Sequence, residues 1–452
     1  MSLKRLLFAV ALAVSAPAYA KPIEADAELG AMFAPGGLTA DQSAVRARSA
    51  SPAVWRKVAE LESAIAGVDA AKLARIPRIT AKLTYTRLSK LDEADTAALG
   101  GSFALPQILN NYAATTQVVV PLSDYVLRHP GSIGAAEKQA EAARTAMRAT
   151  ELGAAYSARL SYYEWIRAQL QLVISTRQLT QVSANLEQIR STVAAGRLPK
   201  ADLLRIESQE AEVEQLVDQL RKLASLREEV LRLQIGARAD ERLTIGEDVR
   251  TGVLASTAAN LDDMTQQASK QRLDLRAVSL ALQANEAHRS SEKANRLPVL
   301  TAFAQSDYSN PNQRVFPQEE KFTWSWSAGL QLSYTLNDAL ISRTTDRKLA
   351  AEASALRADR EQLTRDVRVA VLSASQDITN AQRAITTSAK GLDAAEESYR
   401  VRRALLAADR VTAVELVDAE TDLTRARISA LDARIDLRIA IAGLEHAIGN
   451  DR

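Results

Sequence analysis

The stretch Phe322-Thr-Trp-Ser-Trp-Ser-Ala-Gly-Leu-Gln-Leu-Ser-Tyr-Thr-Leu336 alternates without a break. Phe322, Trp324, Trp326, Ala328, Leu330, Leu332, Tyr334 and Leu336 share one face; Thr323, Ser325, Ser327, Gly329, Gln331, Ser333 and Thr335 share the other. A strict period of two with aromatics near both ends fits a strand that has hydrocarbon on one side and water on the other. A strand half-buried in a soluble sandwich alternates as well. Ile79, Ala81, Leu83 and Tyr85 alternate likewise with Thr80, Lys82, Thr84 and Thr86, while Ala114 to Leu122 is shorter and mixed. The strand around Leu300, Ala302 and Ala304 is the weakest, because Phe303 falls among its polar positions. Export of the chain, strand lengths near the ~9–11 residues of a tilted span, and the lack of other strands for a soluble sheet favour the membrane. Four such strands cannot close a barrel, since closed membrane barrels begin at about eight and an open edge leaves N–H and C=O groups unsatisfied in hydrocarbon. Several chains must therefore share one barrel.

The expectation of export comes from residues 1–20. Lys4 and Arg5 precede an apolar run from Leu6 to Val14, and Ala18-Tyr-Ala20 makes a small-x-small cleavage site, with cleavage expected before Lys21. The absence of cysteine excludes disulfides, thiolate nucleophiles and Cys-zinc sites together. The three histidines, at 129, 288 and 446, do not fall at metal-ligand spacing. With 57 basic and 55 acidic residues, a nucleic-acid partner has no electrostatic support. A paired nucleophile and base and a glycine-rich phosphate loop are missing too, so an enzyme and a resident cofactor are not expected.

The chain repeats one plan. Arg75-Ile-Pro-Arg-Ile-Thr-Ala81 matches Arg296-Leu-Pro-Val-Leu-Thr-Ala302 at a shift of 221 residues (75 to 296). Gln117–Asp124 matches Gln331–Asp338 at 214 (117 to 331); Asp202–Glu207 matches Glu415–Glu420, and Ile235-Gly236 matches Ile448-Gly449, both at 213. Four pairings in one order at a nearly constant shift indicate duplication. The drop in shift places about seven extra residues after Ala81, a natural loop.

Between strands the pattern is helical. Ser51-Pro52 reads as an N-cap followed by proline at the first helical position, opening a helix to about Ala74. From about Leu340 to Ala408 only Gly391 interrupts helix-forming residues. Leu363, Val367, Val371, Ala374, Ile378, Ala381, Ile385, Ser388, Leu392, Ala395 and Tyr399 recur there at alternating spacings of four and three, a coiled-coil seam. Ile133 to Ala195 is the counterpart, with Leu152, Tyr156, Leu160 and Tyr163 on one stripe. At ~1.5 Å per residue, sixty-odd helical residues reach roughly 90–100 Å, a periplasm-sized distance. A non-pore periplasmic coiled-coil scaffold or tether is the alternative, but a tether needs no membrane strands between its rods.

These landmarks resemble the TolC-type outer-membrane efflux proteins, in the family's order, from about Leu38 to Gly449. Ser51-Pro-Ala-Val54 and Leu273-Asp-Leu-Arg-Ala277 resemble the family's helix openings, and Arg-x-Pro before each first strand and Pro121-Leu-Ser-Asp124 resemble its strand markers. Tyr163-Glu-Trp-Ile-Arg-Ala-Gln169 is similar to its long-helix motif, and Ala195-Gly-Arg-Leu-Pro-Lys-Ala-Asp-Leu-Leu204 to its helix-tip motif. The resemblance implies a mainly α fold with a small transmembrane β part: two tandem helix-strand-strand-helix-helix repeats, a long coiled-coil α-barrel, and a β-barrel shared by a homotrimer. It further implies outer-membrane lipid around the strands, a periplasmic adaptor (membrane fusion) protein at the helix tips, and an inner-membrane transporter behind it. Drugs, metal ions and secreted polypeptides all use this architecture.

The expected organisation is 1–20 signal peptide, 21–75 N-terminal periplasmic helices, 76–122 first strand pair with extracellular loop, and 123–236 first long hairpin; 237–296 forms an equatorial segment and the helices opening the second repeat, 297–338 the second strand pair with extracellular loop, and 339–452 the second long hairpin. By the resemblance, Glu415 and Asp418 match acidic residues that ring the periplasmic aperture, where threefold repetition concentrates negative charge. Asp202 matches an acidic latch residue, whose partner positions fall on Val411 and Leu406 here; Arg410 or Arg197 are the basic residues nearby. Gly196, Arg197, Leu198, Pro199 and Lys200 at one tip and Asp409, Arg410, Val411 and Thr412 at the other are the candidate adaptor contacts. The same residues suit simple turns: glycine for the left-handed helix end, proline for the next first turn, and aspartate where glycine is usual. Trp324, Trp326, Tyr334 and Tyr85 are candidate membrane anchors, whereas Tyr162, Tyr163 and Trp165 read as helix packing.

Overall fold

The computed structural model describes residues 30, 32–90, 108–196, 198–253, 260–408 and 410–450. The expected signal peptide lies outside them, as does most of the segment between the first two strands. In chain order the elements are β1 (Phe33–Leu38), α1 (Ala40–Ala50), α2 (Pro52–Leu73), β2 (Arg78–Arg87), β3 (Asn110–Pro121), α3 (Leu122–Leu127), α4 (His129–Ala194) and α5 (Lys200–Ile235). There follow α6 (Leu261–Gln271), α7 (Leu273–Ala294), β4 (Val299–Asn310), β5 (Thr323–Ser333), α8 (Leu336–Ala407) and α9 (Ala413–Ile448). None of the described helices is long and apolar enough to cross a membrane.

The duplication is visible element by element. Helices α1 and α6 have 11 residues each and α2 and α7 have 22 each, starting 221 residues apart (40 to 261, 52 to 273). Helices α5 and α9 have 36 each, starting 213 apart (200 to 413). Both end on a glycine in the left-handed region, Gly236 at φ 63° and Gly449 at φ 74°, whose N–H groups turn back onto the last carbonyls. The copies differ at one junction. The 72-residue α8 is unbroken, whereas its counterpart is interrupted at Arg128 and restarts as the 66-residue α4. Pro130, which has no N–H to give to the preceding turn, sits at the second position of that restart, where helices tolerate it.

The chain divides into two compact units, one of Met1–Arg56, Arg148–Arg272 and Thr364–Arg452, the other of Lys57–Met147 and Leu273–Leu363. The described residues of the first are mainly helical, with β1 bridged to Ile245 in the irregular segment after α5. Its core gathers Tyr162, Tyr163, Trp165, Ile166 and Leu170 of α4, Leu231 and Ile235 of α5, and Leu431 and Ile435 of α9 around Ile245 and Val249. Each large side chain buried this way contributes about 1.5–3 kcal/mol. The packing role read for Tyr162, Tyr163 and Trp165 is the one they have; Tyr162 Oη also donates to the Leu38 carbonyl at 2.6 Å. All eleven positions of the expected α8 seam are buried or half-buried, and Ile378 and Ala381 meet Leu437 and Ala440 of α9. In α4 the expected stripe is less sharp. Leu152, Tyr156 and Leu160 are half-buried, while Ala155, Ala158, Tyr162 and Ile166 are buried, because α4 is packed on more than one side.

In the second unit the four strands form one antiparallel sheet in the order β2-β3-β4-β5. The strand expected to run to Leu336 stops at Ser333. The Ala339 N–H already donates to the Thr335 carbonyl at 3.3 Å, and Asp338 in the first turn of α8 suits the positive end of the helix dipole.

Candidate functional site

Register decides what the sheet presents. Tyr85, Leu83, Ala81 and Ile79 of β2 lie opposite Tyr112, Ala114, Thr116 and Val118 of β3. Ala114, Thr116, Val118 and Val120 in turn lie opposite Tyr308, Ser306, Ala304 and Ala302 of β4, which lie opposite Trp324, Trp326, Ala328 and Leu330 of β5. Facing pairs in an antiparallel sheet point the same way, so one face is mostly apolar across all four strands, with Thr116, Ser306 and Asn310 among its polar members. That face is the exposed one: Trp324 is 61% exposed, Trp326 60%, Leu332 70% and Leu83 86%. A water-soluble sheet buries such a face. Lys82, Thr115, Asp307 and Ser325 follow one another on the opposite face, as do Thr80, Gln117, Gln305 and Ser327. Phe303, which weakened the sequence reading, lies opposite Gly329, where an added Cβ would stand 3.0 Å from its ring. The glycine makes room for the one large ring on the polar face of β4.

An aromatic belt lies at the loop end of the apolar face. Tyr85 and Tyr112 have ring centroids 5.0 Å apart, Tyr112 and Phe322 6.3 Å, and Tyr308 stacks on Phe322 at 5.2 Å. Trp324 Nε1 donates to Ser306 Oγ at 2.8 Å. Tyr334 stands exposed just beyond β5, at the other end of that strand. The sequence reading named Tyr85, Trp324, Trp326 and Tyr334 and missed Tyr112, Tyr308 and Phe322 as belt members; their position beside the loops was the available signal.

In the first unit, α4 and α5 meet at one turn and α8 and α9 at another. Gly196 has φ 73° with open space around it, and its N–H donates to the Val193 carbonyl at 2.9 Å. Pro199 caps α5 in extended geometry, Lys200 opens the helix exposed to solvent, and Leu198 packs with Val182, Leu186, Ile206, Val414 and Val417. At the second turn the Arg410 N–H reaches back to the Leu405 carbonyl at 2.9 Å, Val411 is half-buried, and Thr412 caps α9 by accepting from the Glu415 N–H at 3.3 Å. Arg197 and Asp409 lie outside the described residues.

Asp202 and Glu415 occupy equivalent places, each in the first turn of its helix, with Asp202 half-buried and Glu415 exposed. Arg205 and Asp418, also 213 residues apart, bond directly at 3.0 Å. Asp418 thus has a cation of its own chain against it, a pairing the sequence reading did not foresee. Two residues further, Glu420 is only 2% exposed; its Oε2 accepts from Asn185 Nδ2 at 3.2 Å and its Oε1 has no hydrogen-bond partner. Burial pushes its carboxyl up to about 7, against the lowering effect of Asn185 and Arg427.

Residues 264–450 match the sequence model of the family described as "Outer membrane efflux protein". The outer membrane protein TolC of Vibrio cholerae is 23% identical over 416 residues, covering 89% of each chain. Among solved structures, the Campylobacter jejuni CmeC outer membrane channel shares the fold at a TM-score of 0.75 with 9% identity, over 92% of this chain and 89% of that one. The open state of the Neisseria gonorrhoeae MtrE outer membrane channel does so at 0.72 with 16% identity, over 91% and 88%. The repeated helix-strand-strand-helix-helix plan, the sheet with its exposed apolar face and these matches point one way: the chain is similar to the outer membrane efflux proteins of TolC type, in sequence model over residues 264–450 and in fold over nearly its whole length.

Proposed function

We propose that this outer-membrane channel chain works as one of three identical subunits of a gated, water-filled duct across the outer membrane and the periplasm, in a tripartite efflux or type I secretion system. One observation supports this reading above the others. The sheet turns its apolar face outward and its polar face the other way, while its edge strands β2 and β5 end the hydrogen-bonded order. In hydrocarbon those edges need partners. Further copies of the same four strands supply them, and three copies give a barrel of twelve, within the known range. The strand pairs in 76–122 and 297–338 then lie in the membrane with their loops outside, and the long hairpins extend into the periplasm.

In this reading the turns at Gly196–Lys200 and at Arg410–Thr412 meet a periplasmic adaptor protein, which joins the duct to an inner-membrane transporter. The aperture charge falls chiefly to Glu415, since Arg205 offsets Asp418 within each chain. The duct performs no covalent step; the energy comes from the transporter. Purified mature protein should run as a heat-modifiable trimer from outer-membrane fractions and give single-channel conductance in planar bilayers. A monomer that stays in water without detergent would sink the duct, and the periplasmic scaffold would take its place.

A further inference from the structure

Asp307 is the one acidic residue in the four described strands of the sheet, and it sits on the polar face. Its carboxylate is fixed there. Thr115 Oγ1 donates to Oδ1 at 2.8 Å, and Gln305 Nε2 lies 2.9 and 2.8 Å from the two oxygens. Hydrogen bonds of this kind fix the direction of the carboxylate. Lys82 is on the same face, across the row Lys82–Thr115–Asp307. Two strand spacings, about 10 Å, separate the two backbone positions, and Lys82 is exposed. Among the described residues no ion pair joins the two, and both belong to the polar side of the sheet.

We propose that Asp307 and Lys82 form a second ion-selective zone of the duct, inside its membrane portion and separate from the periplasmic aperture, acting on small permeating ions and on charged cargo. The inference rests on the trimeric duct proposed above. Threefold symmetry makes one ring of three Asp307 and one of three Lys82. Because barrel strands tilt by about 35–45°, a row across two strands also moves along the axis, by about 6 Å. A passing ion meets an acidic ring and a basic ring in succession. Their effects on charge preference oppose each other, and removing either one unmasks the other.

The test is the reversal potential of single trimers in planar bilayers under a potassium chloride gradient at low salt, where screening is weakest. Relative to the parent, Asp307→Asn should shift the cation-to-anion permeability ratio toward chloride, and Lys82→Gln should shift it toward potassium. The expected size is about two- to fivefold each, from unit charges roughly 10 Å from the path in water. Reversal potentials unchanged in both variants, or shifted the same way, overturn the proposal. If Asp307→Asn fails to assemble, Lys82→Gln decides alone: a potassium-ward shift supports the zone and no shift overturns it. Folded parent trimers without any conductance instead defeat the duct reading, and this inference with it.

Discussion

Replacing Glu420 with glutamine should make the protein more stable at alkaline pH and leave it nearly unchanged at acid pH. Glu420 lies in α9 at 2% exposure, with one oxygen on Asn185 and the other unpartnered. Burial raises its carboxyl from the ordinary 4.5 to about 7. The folded protein therefore holds this proton more tightly than the unfolded chain does. Its favourable contribution is complete below the unfolded value of 4.5 and is lost as pH rises through about 7. Ionising it in place costs at most about 3 kcal/mol, the free-energy equivalent of that rise, and Arg427 reduces the amount. Glutamine keeps the shape and an acceptor for Asn185 and cannot ionise. The assay is the thermal midpoint of the detergent-solubilised protein, followed by the fluorescence of Trp165, which is 2% exposed in the same unit. The variant's midpoint should exceed the parent's by several degrees at pH 8.5, and the difference should shrink toward zero at pH 5. A difference that stays constant across that range refutes the argument, because it would come from packing rather than from the proton.

Two further outcomes follow from the geometry. Leu330→Arg, on the outward apolar face, should cost roughly 2–4 kcal/mol near the bilayer midplane and deplete trimers from outer-membrane fractions, while Ser327→Arg on the polar face should leave assembly intact; equal depletion would contradict the assignment of faces. Gly449→Ala should lower the thermal midpoint more than Gly196→Ala. Both residues have positive φ, which costs a side chain about 1–2 kcal/mol, but only at Gly449 would the new Cβ come within 3.1 Å of a backbone atom, Arg272 N.

Much of the architecture was readable from the chain because its signals are periodic and repeated. The α8 seam could be placed residue by residue from its spacing, and the constant shifts between motifs anticipated α5 and α9 as equal helices. What escaped depends on distant partners. Strand β1, with the sequence FAPGGL, carries no period. It is held because the Leu38 N–H donates to Thr244 and the Leu38 carbonyl accepts from Gly246, both at 2.8 Å, at a crossing where a Cβ on Gly37 would stand 2.7 Å from Ile245. Charge in the interior was equally hidden. Composition does not say that Glu420 and Arg438 are buried while the neighbouring Asp422 stays in water; that depends on which side of α9 each occupies. Of the candidate tip residues, motif spacing found the turn, but it could not foresee that Arg205 reaches Asp418.

That ion pair also bears on the duplication. Arg205 and Asp418 hold the same place in the two halves of the chain, so the contact joins a position to its own twin. A subunit with a single copy of the plan, pairing there with another like itself, would set two arginines or two aspartates against each other. Opposite signs require two separately encoded versions of the residue. Two copies in one chain thus permit an attraction between twin positions that a symmetric pair of identical single copies cannot make.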